Sequence, residues 1–110
     1  MKKGNTTPII LDVYRIVGGK KAYSHNHAIR VNNHCTISVA KKQSITLDFA
    51  DVEIVTCGFW ATSVGTLFDN FKGDTIRKYV KVRNLSDENK QVLGDMLVAA
   101  KEFYNYKNTG

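Results

Sequence analysis

Between residues 44 and 49 apolar and polar side chains alternate: Ile45, Leu47 and Phe49 share one face, Ser44, Thr46 and Asp48 the other. A period of two predicts a strand. An acidic segment dotted with apolar residues follows, Asp51-Val52-Glu53-Ile54-Val55. The period then lengthens. Trp60, Val64, Leu67, Phe68 and Phe71 recur at the spacing of one helical face, with Gly58 at its start. Lys72-Gly73-Asp74 ends this helix, since Gly73 can take a left-handed cap. The centre of the chain therefore reads strand, loop, helix, with Thr56 and Cys57 at the helix mouth. A helix start carries unpaired N–H groups and partial positive charge, so such a mouth suits a phosphate, a carboxylate or a thiolate.

The flanks supply the other elements. Residues 1–7 are small, polar and basic and read as disordered. Residues 8–17, PIILDVYRIV, are β-branched and aromatic and predict an edge strand opened by Pro8. Gly18-Gly19 turns the chain, and Lys20 to Tyr23 returns as a short second strand. Residues 24–42 fit two patterns. Ile29, Val31, Cys35, Ile37 and Val39 nearly alternate, while Ala28, Val31, Cys35 and Val39 form a helical face. Ser24 as N-cap and Lys41-Lys42 at the far end favour the helix. Residues 76–83, IRKYVKVR, alternate as a strand. Ser86 caps a last helix, with Asp87 and Glu88 in its first turn and Val92, Leu93, Met96, Leu97, Ala100 and Phe103 on its apolar face. Residues 105–110 fray. Strands alternating with helices predict one α/β domain over residues 8–104, a small mixed sheet with helices packed mainly on one face.

Composition narrows the class. A chain of 110 residues holds one core and little more. No apolar run reaches about 18 residues, so none is expected to span a membrane. The apolar run behind the basic N-terminus stops at Asp12, too short for a signal peptide, which places the protein in the cytoplasm. Cys35 and Cys57 stand in no CxxC arrangement and are too few for a disulfide scaffold or a zinc site. A net charge of +6 suits an acidic protein partner or a nucleic acid. The cations, however, fall in scattered pairs, Lys20-Lys21, Lys41-Lys42 and Arg77-Lys78, the pattern of a solvated surface.

Leu47-Asp48-Phe49-Ala50-Asp51-Val52, followed by Ile54-Val55-Thr56-Cys57-Gly58, resembles the signature of STAS domains, the sulfate-transporter and anti-sigma-factor-antagonist fold. More narrowly, LDFADVEIVTCGF resembles a bacterial STAS-like family of unknown function. The resemblance covers residues 8–104. It implies a regulatory, non-enzymatic module that binds a GHKL-type ATPase or an anti-sigma-like protein. In anti-sigma-factor antagonists that kinase phosphorylates a Ser or Thr at the helix mouth, which alters an interface by nearly two charges. The matching position here is Cys57, preceded by Thr56 where the family has Asp. Thr56, one position out of register, is then the candidate phosphorylation site. The acidic pair of the narrower family is replaced around Trp60-Ala61-Thr62.

The resemblance and the residue pattern together place the partner-binding surface on Asp51, Thr56, Cys57, Gly58, Phe59, Thr62 and Ser63. Cys57 as a reactive thiolate is a weaker reading, because no His or second Cys lies near it in sequence to assist. His25 and His27 point apart on a helix and His34 lies too far along the axis, so no metal is expected. Asp48, Asp51 and Glu53 sit where α/β folds place ligands, but without a nucleophile or a phosphate loop they predict no catalysis and no cofactor. The alternative function is nucleic-acid binding. Arg77, Tyr79, Lys81 and Arg83 would alternate basic with aromatic on one strand face, as in sheets that meet single strands.

Overall fold

A computed structural model describes the backbone of residues 7–109 and the side chains up to residue 102. Three short strands, β1 (Ile9–Asp12), β3 (Ile45–Asp48) and β5 (Val80–Arg83), form a sheet in the order β1-β3-β5. A separate ladder joins β2 (Lys21–Ala22) to β4 (Ile54–Val55). The described residues also form five α-helices: α1 (Val13–Val17), α2 (His25–Ala40), α3 (Cys57–Ser63), α4 (Gly73–Tyr79) and α5 (Asp87–Thr109). The α/β class is the one the sequence predicts. The mixed pairing is not: every ladder among the described residues is parallel. Each link between paired strands contains a helix, and none is the tight hairpin that antiparallel neighbours use.

Register sets the two faces of the sheet. Ile9, Ile45 and Val80 stand side by side, as do Leu11, Leu47 and Val82. This face meets the helices, and Ile45 and Leu47 are fully buried. The intervening rows, Ile10-Thr46-Lys81 and Asp12-Asp48-Arg83, face outward. Helices thus cover one face, as expected. Phe49, just past β3, meets the Trp60 ring at 4.9 Å in a tilted pair that joins the sheet to α3. Full burial of such side chains stabilises by about 1.5–3 kcal/mol each.

Helix α2 forms with Ala28, Val31, Cys35 and Val39 buried, so the helical face prevails over the near-alternation. Its C-terminus closes with paired bonds, Gln43 N–H to Ser38 O (2.8 Å) and Lys42 N–H to Val39 O (3.0 Å). In that geometry the residue past the cap is left-handed, and here it is Lys42 at φ 58°.

Other expectations are corrected. The strand expected over 8–17 stops at Asp12, whose Oδ1 accepts from Arg15 N–H (3.3 Å) and opens α1. Val13 and Val17 then bury on one side, and Gly18, at φ 73°, closes the helix. The strand expected over 76–83 forms only from Val80, because β3 offers four residues to pair with. The residues before it make α4, with Asp74 in the first turn and Arg77 and Lys78 in the last, a charge order that suits the helix dipole. Gly73 therefore opens a helix instead of closing one.

The helix expected from Gly58 to Phe71 is also interrupted. α3 ends at Ser63 and a 3-10 helix runs over Gly65–Asp69. Ser63 Oγ donates to Phe59 O (2.7 Å) and Thr66 Oγ1 to Thr62 O (2.8 Å), local bonds that compete with the helix ladder. Asn32 on α2 donates to both the Ser63 carbonyl (3.2 Å) and Thr66 Oγ1 (2.9 Å), fixing the break. Residues 1–7 are expected to be disordered; Thr7 is described, its carbonyl accepting from Gln43 Nε2 (2.8 Å), and residues 1–6 lie outside the described residues. So do the side chains of 105–110, where fraying was expected, while the α5 backbone continues through Thr109.

Candidate functional site

The carboxyl ends of the parallel strands organise the site, as in open α/β sheets generally. Asp48 closes β3. Its Oδ1 accepts from Ala50 N–H (3.0 Å) and Asn84 Nδ2 (2.9 Å), and its Oδ2 meets the Arg83 guanidinium at 3.0 Å. The Asn84 amide, then the Ala50 N–H, with a smaller share from Arg83, hold its carboxyl below the usual Asp range. Asp48 thus ties the loop after β3 to the end of β5. It has the role of a structural acceptor of N–H groups. Asn84 reaches it from a left-handed backbone at φ 59°.

Strand β4 carries the chain from that loop to the α3 mouth. On one side it pairs with β2, and Thr56 N–H continues that edge to Ala22 O (3.1 Å). On the other side, among the described residues, it meets no strand but the side chain of Asn89. The Asn89 Oδ1 accepts from Val55 N–H (3.2 Å), and its Nδ2 donates to Glu53 O (3.0 Å). One buried amide on α5 thus takes the place of a neighbouring strand. Its own N–H bonds Ser86 Oγ (3.1 Å), which confirms Ser86 as the cap expected there. The sequence marks Asn89 only as a lone Asn on the first turns of an otherwise ordinary helix.

At the mouth, Thr56 Oγ1 accepts from Phe59 N–H (3.1 Å) and caps α3. The predicted surface residues then part company. Cys57 and Gly58 are exposed, and Thr56 and Thr62 are half-buried. Phe59 and Ser63 are buried, 1% and 0% exposed, and cannot touch a partner. They pack inward because the helical turn that exposes Cys57 and Ala61 turns Phe59, Trp60 and Ser63 toward the core. Asp51 is exposed at φ 69°, but it lines a different depression. That open cleft, near the strand ends, is walled by Tyr14, Lys20, Glu53, Asn84 and Glu88, with Lys20 and Glu53 paired at 3.6 Å. Cys57 instead borders a shallow groove of about 460 Å³ between α3 and α5, with Ala61, Thr66, Asp69, Asp95 and Ala99. The α5 wall of that groove leaves no local signal at the α3 mouth, since it belongs to an element about thirty or more residues away in the chain.

The basic stripe does not form. Arg77 and Tyr79 lie on α4 while Lys81 and Arg83 lie on the outward face of β5. Arg77 pairs with Asp74 (3.6 Å), Arg83 with Asp48, and Lys81 Nζ turns back to donate to Arg77 O (2.9 Å). Tyr79 is covered on one side by Lys78, at 5.4 Å from the ring centre. The alternation read from the sequence is broken by the helix-to-strand change at Val80. Of the thiols, Cys35 is buried, which pushes its pKa up to about 12, and Cys57 is exposed. His25 and His34 are exposed on α2, and among the described residues no group of three His, Cys, Asp or Glu is placed to hold a metal. No helix of the described residues is long and apolar enough to cross a membrane.

The β3–β4–α3 passage with its Asp48 tie is the region where the resemblance was read, and comparison with known families agrees. The model for the STAS-like domain of unknown function (DUF4325) matches residues 27–90, more than half of the chain, from α2 to the first turn of α5. No curated protein and no solved structure matches the chain. The chain belongs to the STAS-like family of unknown function.

Proposed function

We propose that this protein is a non-enzymatic regulatory module that binds another protein through the exposed side of α3 and the groove beside it. The observation that carries the reading is the make-up of that surface. Cys57, Gly58 and Ala61 are small, exposed residues on one side of α3, and a Cβ at Gly58 would meet nothing within 4 Å. Small residues let a partner approach the backbone closely. Asp69 and Asp95 place carboxylates on the groove walls of a chain whose net charge is +6. Local charge of the sign opposite to the whole favours a partner with basic residues at its contact point, and such complementarity orients docking.

The contact set becomes Thr56, Cys57, Gly58, Ala61, Thr62 and the groove wall on α5, with Phe59 and Ser63 as its support. Asp51 lies outside it, in the strand-end cleft. Thr56 is the switch hydroxyl in this reading. Its phosphorylation would add about −1.5 to −2 charges at the edge of the contact. The partner class, by family resemblance, is a GHKL-type ATPase or an anti-sigma-like protein acting in the cytoplasm.

The test is affinity capture from the native host with mass spectrometry, at low and moderate salt. Wild type should recover an ATPase or sigma-regulatory protein that survives the moderate-salt wash. Ala61→Arg and Thr56→Asp should lose it, while Lys81→Glu, on the outward sheet face, should not. Equal recovery by Ala61→Arg and wild type removes this surface. Recovery of nucleic acid alone, released by salt, would replace the reading with the alternative one.

A further inference from the structure

A second concave feature lies elsewhere, between α5 and the α4–β5 segment. It is an apolar cavity of about 330 Å³, floored by Val64, Phe68, Ile76, Val80, Leu93 and Leu97. Its volume is at the lower end of small-molecule sites, about 300–1,000 Å³. Val98, 58% exposed, stands at its mouth, a large apolar side chain left in water. The charged groups lining it are Arg77 and Lys101, both cations. Arg77 has a partner in Asp74 at 3.6 Å, but the two side chains are 72% and 97% exposed, and such pairs hold weakly. Lys101 forms no ion pair with a described residue.

We propose that this cavity binds a single-chain aliphatic carboxylate, its tail among the Val, Leu, Ile and Phe side chains and its head group between Arg77 and Lys101. The charges favour an anion. An apolar interior of about 330 Å³ suits an aliphatic chain. A methylene fills about as much space as one liquid water, roughly 30 Å³, so about ten of them fit. That sets the tail at medium length. Arg77 belongs to the residues that the nucleic-acid alternative would use, and here it lines an apolar cavity.

The experiment is calorimetric titration of the full chain with decanoate, octanoate and decanol, each below its micellar or solubility limit. Decanoate should bind. Removing two methylenes should weaken binding by about fifteen-fold, the value of two buried CH₂ groups. The Arg77→Gln/Lys101→Gln double variant alters exposed side chains only, so it should fold normally. It should lose about tenfold or more for decanoate while decanol binding stays unchanged. Val98→Trp, with its fold checked by circular dichroism, should block the mouth and abolish binding of both. No binding of decanoate by wild type overturns the proposal. So does equal affinity for decanoate in wild type and the double variant, or no dependence on chain length. The cavity residues are distinct from the α3 contact set, so loss of one reading leaves the other standing.

Discussion

Replacing Asn89 tests the most economical tie in the structure. In Asn89→Leu the shape is nearly kept, but Val55 N–H loses its acceptor and Glu53 O its donor. Val55 is 2% exposed, so its N–H cannot turn to water and the full desolvation cost applies. Such an unmet group costs about 1–3 kcal/mol. Glu53 is exposed, so its carbonyl can recover part of its bond from solvent. The sum is about 2–4 kcal/mol, a large share of the 5–15 kcal/mol that small domains possess. With an unfolding entropy of roughly 2.1 cal/mol/K per residue over 110 residues, the melting temperature should fall by about 9–17 °C. Thermal melting followed by circular dichroism reads this directly, and amide exchange at Val55 should accelerate beyond the global change. Asn89→Asp adds a sign test. It keeps an acceptor for Val55 N–H but sets a carboxylate against the Glu53 carbonyl. It should be destabilised at neutral pH and should recover in part in acid, where the protonated carboxyl can donate again. A melting temperature for Asn89→Leu within about 2 °C of wild type would refute the reasoning, because the loss is then far below one unmet buried N–H.

Further outcomes follow from single sites. Asp48 has a folded pKa held below its unfolded value by Asn84, Ala50 and Arg83. Its contribution is therefore full above the ordinary Asp value near 3.9 and is lost as pH falls from there through the folded value. Urea midpoints measured on the acid side should drop less steeply for Asp48→Asn than for wild type, and the variant should be less stable at neutral pH by about 1–3 kcal/mol. Lys42→Gly should raise the unfolding free energy by about 0.5–1 kcal/mol and with it the urea midpoint, because Lys42 sits at φ 58° where glycine is unstrained; a lowered midpoint would contradict it. Iodoacetamide should modify one thiol per native chain, exposed Cys57, and a second, buried Cys35, only in denaturant. Two native labels would mean that the α2 face opens readily.

Much of this fold is legible in the sequence where one pattern has no rival. Ile45, Leu47 and Phe49 could only alternate, and Ala28, Val31, Cys35 and Val39 describe a helix once both caps are weighed. Legibility fails where two local patterns overlap and a distant residue decides. IRKYVKVR alternates along its whole length, yet only its second half pairs, because β3 has no more backbone to offer. PIILDVYRIV has strand propensity throughout, yet Asp12 captures Arg15 N–H and the two valines behind it bury at helical spacing. Trp60, Val64 and Leu67 keep helical spacing across a break in the helix. The spacing survives because Val64 N–H still reaches Trp60 O and Leu67 N–H tightens to Val64 O, so the buried face turns little.

The site divides along the same line. Its local part, the Thr56 cap and the exposed Cys57 and Gly58, was readable from residues next to one another. Its tertiary part was not. Phe59 and Ser63 looked available because they adjoin the mouth, but a seven-residue helix packed on α2 and α5 has an inside, and they occupy it. Asp51 looked like part of the mouth, but β4 stands between them and carries it to the strand-end cleft. What holds β4 there is Asn89, more than thirty residues onward. The buried amide satisfies a strand edge that has no neighbour, and it does so from the same helix that walls the groove beside Cys57. The position of the contact surface is therefore set by α5 as much as by the motif that marks the family. A variant that frees β4 from Asn89 should for that reason weaken partner capture through α3 even though Asn89 touches no part of the groove. Substitutions of equal thermal cost in the core at Val31 should weaken it less.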